Sequence, residues 1–232
     1  MPKRRWIITG VVAGLLGLAI GATAVAAPSI AAIACPQCYG LSSLGGGVYA
    51  ERDDEAYQRV VSAAEQRIRG FYGERVSDAR VLICATEECY RSIGGGGEKG
   101  QAFGRWALRL SPAGANETIA THELAHIELH KRLGSAYESV PDWFDEGLAV
   151  LISDDTRYLD PANGGNRCRV PYEEAAPITT VDWDTFGPAG SDRKYLLAAC
   201  VVTHWVDEHG GAPGVLTMIN DLRAGKRFNE VQ

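Results

Sequence analysis

The sequence is short of the features that announce several common functions. It has no internal repeat and no run of basic residues beyond the extreme N-terminus. Formal charge is −6; Lys3, Arg4 and Arg5 supply three positive charges, so the rest of the chain carries −9. An acidic body without a clustered basic face argues against nucleic acid as a partner. In Gly94-Gly95-Gly96-Gly97-Glu98-Lys99-Gly100 a glycine follows the lysine. A phosphate-cradling loop needs Ser or Thr there and a strand leading in, so this stretch reads as a loop of another kind. The first 34 residues contain no acid, and residues 6–27 no charge at all.

That uncharged segment would make a helix about 33 Å long, enough to cross a hydrocarbon core. Basic residues in front of it belong on the cytoplasmic side, which places the remainder outside. Its length favours a retained anchor. The alternative is a cleaved signal using the small residues Ala24-Val25-Ala26 or Ala32-Ile33-Ala34. Residues 1–34 therefore read as membrane anchor or signal segment and 35–50 as a Cys- and Gly-rich linker. Residues 51–232 then form one compact domain, long enough to bury a sizeable core.

The six cysteines are an even set on a body expected outside the cytoplasm, which points to disulfides. Local pairing is expected: Cys35 with Cys38, Cys84 with Cys89, Cys168 with Cys200. Cys35-Pro36-Gln37-Cys38 has the spacing of a redox dithiol. Such a motif belongs between a strand and a helix, whereas this one follows a membrane segment and precedes glycines, so a structural bridge is the better reading.

Apolar spacing predicts a helix over 51–70, a buried strand over 79–85 and a loosely alternating strand over 103–110. Asn116 caps a helix that ends before Gly134, with Glu117 in its first turn and Lys131 and Arg132 in its last. Asn116-Glu117-Thr118 also matches a glycosylation sequon, but the capping role explains it better. Pro141 opens a further helix to about 153, stopped by Asp154-Asp155. Four prolines make 160–190 irregular. Residues 194–208 and 213–224 read as C-terminal helices. The sum is an α+β domain.

The chemistry concentrates in His122-Glu123-Leu124-Ala125-His126. Histidines four apart on a helix are offset by about 40°, so both rings can reach one ion. Zinc takes imidazole nitrogens, accepts a carboxylate as third ligand and keeps a fourth position for water. Glu123 is rotated about 100° from His122, to the flank, where it can take a proton from that water. Glu146, in Trp143-Phe144-Asp145-Glu146-Gly147-Leu148-Ala149, is the candidate third ligand, because an unpaired carboxylate on an apolar helix is costly. His130 is displaced by about 12 Å along the helix from His122, too far to join that pair. It reads as a helix-end residue or as support for a ligand. Asp145 is a candidate acceptor for a ligand imidazole, which usually donates its other N–H, or simply a first-turn acid like Asp142. Trp143 and Phe144 read as core, Glu128 and Arg132 as a solvated pair. A metzincin pattern would need a glycine and a histidine where Leu129 and Arg132 stand, and is excluded.

The two motifs resemble those of the gluzincin metallopeptidases. Trp143 to Ala149 is similar to the Trp-Leu-Asn-Glu-Gly-Phe-Ala type of the aminopeptidase N branch, and the pair also resembles small peptidase MA-like domains. The likeness rests on residues 116–153 and more weakly on the order of elements from 80 to 225. It implies a zincin-like domain with a small mixed sheet, Zn2+ on His122, His126 and Glu146, and Glu123 as base and proton shuttle. It also implies a tyrosine or histidine from a later helix beside the reacting carbonyl. Tyr195 fits by order, with Tyr158 and His204 as alternatives; His204, nine residues on, faces the opposite side. An edge strand that pairs with extended substrate is implied too, and 103–110 is the candidate. The Gly-x-Met-Glu-Asn segment that holds a free amine in the aminopeptidase N branch is missing here. The expectation is therefore a membrane-anchored, extracytoplasmic zinc endopeptidase acting on peptide or protein substrates. Two other classes compete: a zinc centre with a purely structural or binding role, and a thiol-redox protein using Cys35 and Cys38.

Overall fold

The computed structural model describes residues 28–162, 166–186 and 191–231. The uncharged segment 6–27 and the small residues 24–26 lie outside them. Among the described residues no helix is long and apolar enough to cross a membrane.

The chain forms a mixed α+β domain around a five-stranded sheet. In chain order come α1 (Pro28–Ala34), β1 (Ser42–Gly45), β2 (Val48–Ala50), α2 (Glu55–Tyr72), β3 (Arg80–Ile83), α3 (Glu87–Ser92), β4 (Gly100–Phe103), β5 (Ala107–Leu110), α4 (Glu117–Leu133), α5 (Asp142–Ser153), α6 (Ser191–Glu208) and α7 (Ala212–Arg223). The sheet order is β1-β2-β3-β5-β4; β2, β3 and β5 run parallel, and each outer strand pairs antiparallel. Alternation splits β3 between two cores. Val81 and Ile83 face the large core shared with α2, α4, α5, α6 and α7, while Leu82 faces a small cluster of Ala32, Leu41, Tyr90 and Ile93.

Two expectations are corrected. The segment 35–50 is no linker: it carries β1 and β2, which extend the sheet, and the domain therefore starts before residue 51. The glycine run makes the hairpin turn, with positive φ at Gly45, Gly46 and Gly47. The strand expected over 103–110 is two strands. Gly104 (φ 53°) turns the chain, leaving β4 at the edge and β5 buried inside the sheet.

Helix signals were local and legible. Asn116 Oδ1 accepts from the Ile119 amide at 3.1 Å and starts α4; Gly134 ends it. Pro141 precedes α5, and Asp154 ends it at φ 53°, the one non-glycine residue with positive φ among those described. All three expected disulfides are formed. Cys168–Cys200 ties the segment before α6 to that helix.

Glu128 and Arg132 are not a solvated pair. Glu128 is fully buried and accepts from the Val76 and Ser77 amides at 2.9 and 3.0 Å and from Arg132 Nε at 2.8 Å. The loop after α2 supplies these amides, a long-range contact that i,i+4 spacing cannot foresee. The guanidinium of Arg132 also donates to the Glu74 carbonyl and stands over the Tyr72 ring.

Gly147 explains how α5 and α6 come so close. A Cβ there would lie 2.5 Å from the Ala198 carbonyl oxygen and 2.6 Å from Val202 Cγ2. Gly147→Ala gains about 1 kcal/mol of helix propensity but must push the two helix backbones apart, so a net loss of about 1–3 kcal/mol is expected. Urea unfolding checks this; a variant more stable than wild type would refute it.

Candidate metal centre

Helix α4 is covered along its whole length, with no exposed residue, and turns His122, Glu123, His126 and His130 towards α5 and β4. Helix α5 crosses it and presents Asp145 and Glu146. His122 Nε2 lies 3.1 Å from Glu146 Oε2 and 3.1 Å from His126 Nε2; His126 Nε2 is 3.4 Å from the same carboxylate oxygen. One atom from each of the three residues falls within a 4.8 Å sphere of mutual distances. The three expected ligands are thus brought together.

The donor set fits a metal ion. His126 Nδ1 donates to Asp145 Oδ1 at 2.7 Å, which leaves Nε2 as the free lone pair. That lone pair faces a second imidazole nitrogen and a carboxylate oxygen. Acceptors converging in this way need a cation between them, or a proton. Burial opposes charge on His126, but Asp145 and Glu146 outweigh it and hold its pKa well above the usual range. Burial would likewise raise both carboxyls; the histidines instead hold Asp145 and Glu146 well below the carboxylate range.

Asp145 occupies the supporting position considered for it. Its second oxygen accepts from His130 Nε2 at 2.7 Å, so one carboxylate fixes two rings. His130 lies away from the His122 ring and steadies Asp145 instead. Asp142 is exposed in the first turn of α5.

Glu123 sits beside the triad, 9 % exposed. Burial pushes its carboxyl up, His122 and His126 pull it down, and Glu146 raises it again, for a net rise. The edge strand reaches it because Gly100 has no side chain: a Cβ there would lie 2.8 Å from Glu123 Cγ. Tyr195 enters from the first turns of α6, its ring edge-on to His122 with centroids 6.1 Å apart. Burial, then Glu146 and Glu123, push its phenol upward, so it remains a proton donor. Tyr158 packs on Tyr195 at 5.4 Å but spends its hydroxyl on Asp192, and its pKa is pushed up to about 12. His204 is elsewhere, its ring tilted against Tyr172 with centroids 4.4 Å apart and near Glu208.

A cleft crosses the centre. One end is lined by Lys99, Gly100, Arg157, Tyr158 and Tyr195, with a volume of about 300 Å³. The other end is lined by Gly104, Trp106, His130 and Tyr137. β4 forms the wall between, and among the described residues it pairs only with β5. The edge strand over the centre is therefore β4, which corrects the expectation for 103–110. Arg157 and the approach of Gly100 escaped sequence reasoning; Asp155-x-Arg157 after a helix stop was the one local signal.

A second cluster of metal-ligating types, Glu51, Cys84 and Cys89, has its cysteines in a disulfide. Its glutamate caps the Ala85 and Thr86 amides. Cys35 and Cys38, with the spacing of a redox dithiol, are bonded to each other and follow α1, with no strand before them among the described residues.

No family model, curated protein or solved structure matches this chain.

Proposed function

We propose that the chain is a zinc-dependent endopeptidase with a zincin-like domain, anchored by residues 6–27 and working outside the cytoplasm. The observation that carries this reading is the convergence of His122, His126 and Glu146 beside a buried Glu123, which accepts from the Ala102 amide, on a cleft walled by an edge strand. His122, His126 and Glu146 would hold the metal. Bound there, zinc would supply a Lewis acid and an acidified water.

The protein's own groups divide the remaining work. Asp145 fixes the tautomer of His126 and so aims its Nε2. The outer edge of β4 offers main-chain groups to an extended peptide, which gives affinity with little side-chain selectivity. Glu123 takes a proton from the attacking water and returns it to the leaving nitrogen. Tyr195 donates to the oxygen on which negative charge develops. The absence of an amine-binding segment and a cleft open at both ends suit cleavage within a chain.

Metal content is the deciding measurement. The purified protein is expected to hold one zinc per chain, lost in His126→Ala and in Glu146→Ala, while Asp142→Ala keeps it. A well-folded wild type that takes up no zinc when offered it would end this reading.

A further inference from the structure

Beyond the metal centre, the cleft contains a cation that the proposed chemistry does not use. After α5 stops at Asp154, the chain doubles back and places Arg157 on the cleft wall. Its guanidinium is already oriented. Asp155, 2 % exposed, accepts from the Arg157 amide at 3.0 Å and from Nε at 2.9 and 3.0 Å, and also bonds Nη2. The Tyr158 ring supports the guanidinium from one face, 5.0 Å away. Nη1 has no partner among the described residues. An arginine held in this way has lost most of its side-chain freedom before any ligand arrives, so little is left to lose on binding.

The surrounding charges sharpen this. Lys99 is exposed on the same wall. Glu98, also on that wall, is committed to Arg109 at 2.8 Å and to the Tyr90 hydroxyl at 3.0 Å. Glu123 lies at the boundary with the neighbouring centre, where Asp145 and Glu146 add further negative charge. Arg105 lines the opposite end over the Trp106 ring, so it is the clamp of the buried Asp155 on Arg157, with Lys99 beside it, that marks this end as the one suited to an anion.

Direction follows from the sheet. β4 runs from Gly100 towards Phe103, and antiparallel pairing is the more stable kind. A peptide added antiparallel to β4 carries its C-terminal side to Gly100, Lys99 and Arg157. We propose that Arg157, with Lys99, binds a substrate carboxylate on the C-terminal side of the scissile bond. This rests on the peptidase reading of the same site. The carboxylate can be an acidic side chain or the peptide's own terminus, which share one chemistry.

Twin peptides decide. Blocked peptides differing only as Glu against Gln, or as C-terminal acid against amide, are titrated by calorimetry into the zinc-loaded full chain carrying Glu123→Gln. The acid twin is expected to bind about tenfold or more tightly, the scale of a hydrogen bond between charged groups. The twin pair that shows the gap identifies the source of the carboxylate. The gap should close in Arg157→Gln and shrink in Lys99→Gln. Since Arg157→Gln leaves Asp155 buried alone and can unfold, the outcome is read from the twins with Arg157 in place and from Lys99→Gln, which is exposed. Equal binding of the twins, or no binding of either, overturns the proposal. A clear preference for the acid with no cleavage by wild type would sink the peptidase reading while the carboxylate site stands.

Discussion

Glu123→Gln is expected to lower peptide hydrolysis by a factor of about 10²–10⁴ while zinc stays bound, because it removes a base and leaves the ligands alone. The amide has nearly the same shape as the carboxylate, and Gly100 leaves the same narrow space for it. Glutamine cannot accept the proton of the attacking water, nor hand one to the leaving nitrogen. The pH profile carries further information. Burial raises the Glu123 carboxyl, so its base form is lost, as the medium is acidified, at a higher pH than for an exposed glutamate. That rise belongs to the metal-free protein; a dication held by the neighbouring His122, His126 and Glu146 would act against it, so metal-free Glu123 should titrate above zinc-loaded Glu123. Metal content measured on the same samples separates a lost base from a lost site. A Glu123→Gln protein that holds zinc and turns over at the wild-type rate would remove Glu123 from the chemistry.

Glu128→Ala should cost about 3–5 kcal/mol of stability, the scale for breaking a buried ion pair. Arg132 would lose its carboxylate and keep only the Glu74 carbonyl and the Tyr72 ring, and the Val76 and Ser77 amides would lose their acceptor in the same stroke. Orphaned buried donors cost more than the net worth of the bonds they formed. Glu128→Gln keeps an acceptor oxygen and should cost clearly less. Since Glu128 lies on α4 close to His126, chelator-treated protein is the right sample, so that metal binding does not mask the loss. A drop below about 1 kcal/mol in urea unfolding would show that the loop after α2 is held by other means.

The two motifs were legible because each depends on helical spacing alone. His122 and His126 share a face by arithmetic, and Asn116 and Pro141 mark where their helices start. Glu146 required only the cost of a lone carboxylate on an apolar helix. What sequence could not convey was tertiary. Glu128 resembled half of a surface pair until a distant loop covered it. Residues 103–110 alternate well enough for one strand; the single turn at Gly104 decides that β4, not β5, borders the cleft. The glycines at 45–47 resembled a linker because a hairpin turn and a flexible tether share a composition. Arg157 gave almost no signal, since its value depends on Asp155 being buried. Cys35–Cys38 and Cys84–Cys89, with separations of 3 and 5, matched expectation because short spacings leave little choice, whereas Cys168–Cys200, 32 residues apart, joins the two cysteines that remain.

The short helix α1 bears on how the protein can be handled. Ala32 is fully buried against the sheet, Ser29 Oγ accepts from Arg109 Nη1 at 2.6 Å, and Arg80 donates to the Ile33 and Ala34 carbonyls. Arg109 in turn holds Glu98 at the mouth of the cleft. A recombinant fragment begun at the first β-strand would therefore lose a wedge from the small core and slacken a strap that ends beside Lys99. A peptidase cutting after Ala34 would do the same. The boundary for a soluble, crystallisable piece belongs ahead of Pro28, and a fragment trimmed further should be judged first by its fold, not by whether it cuts.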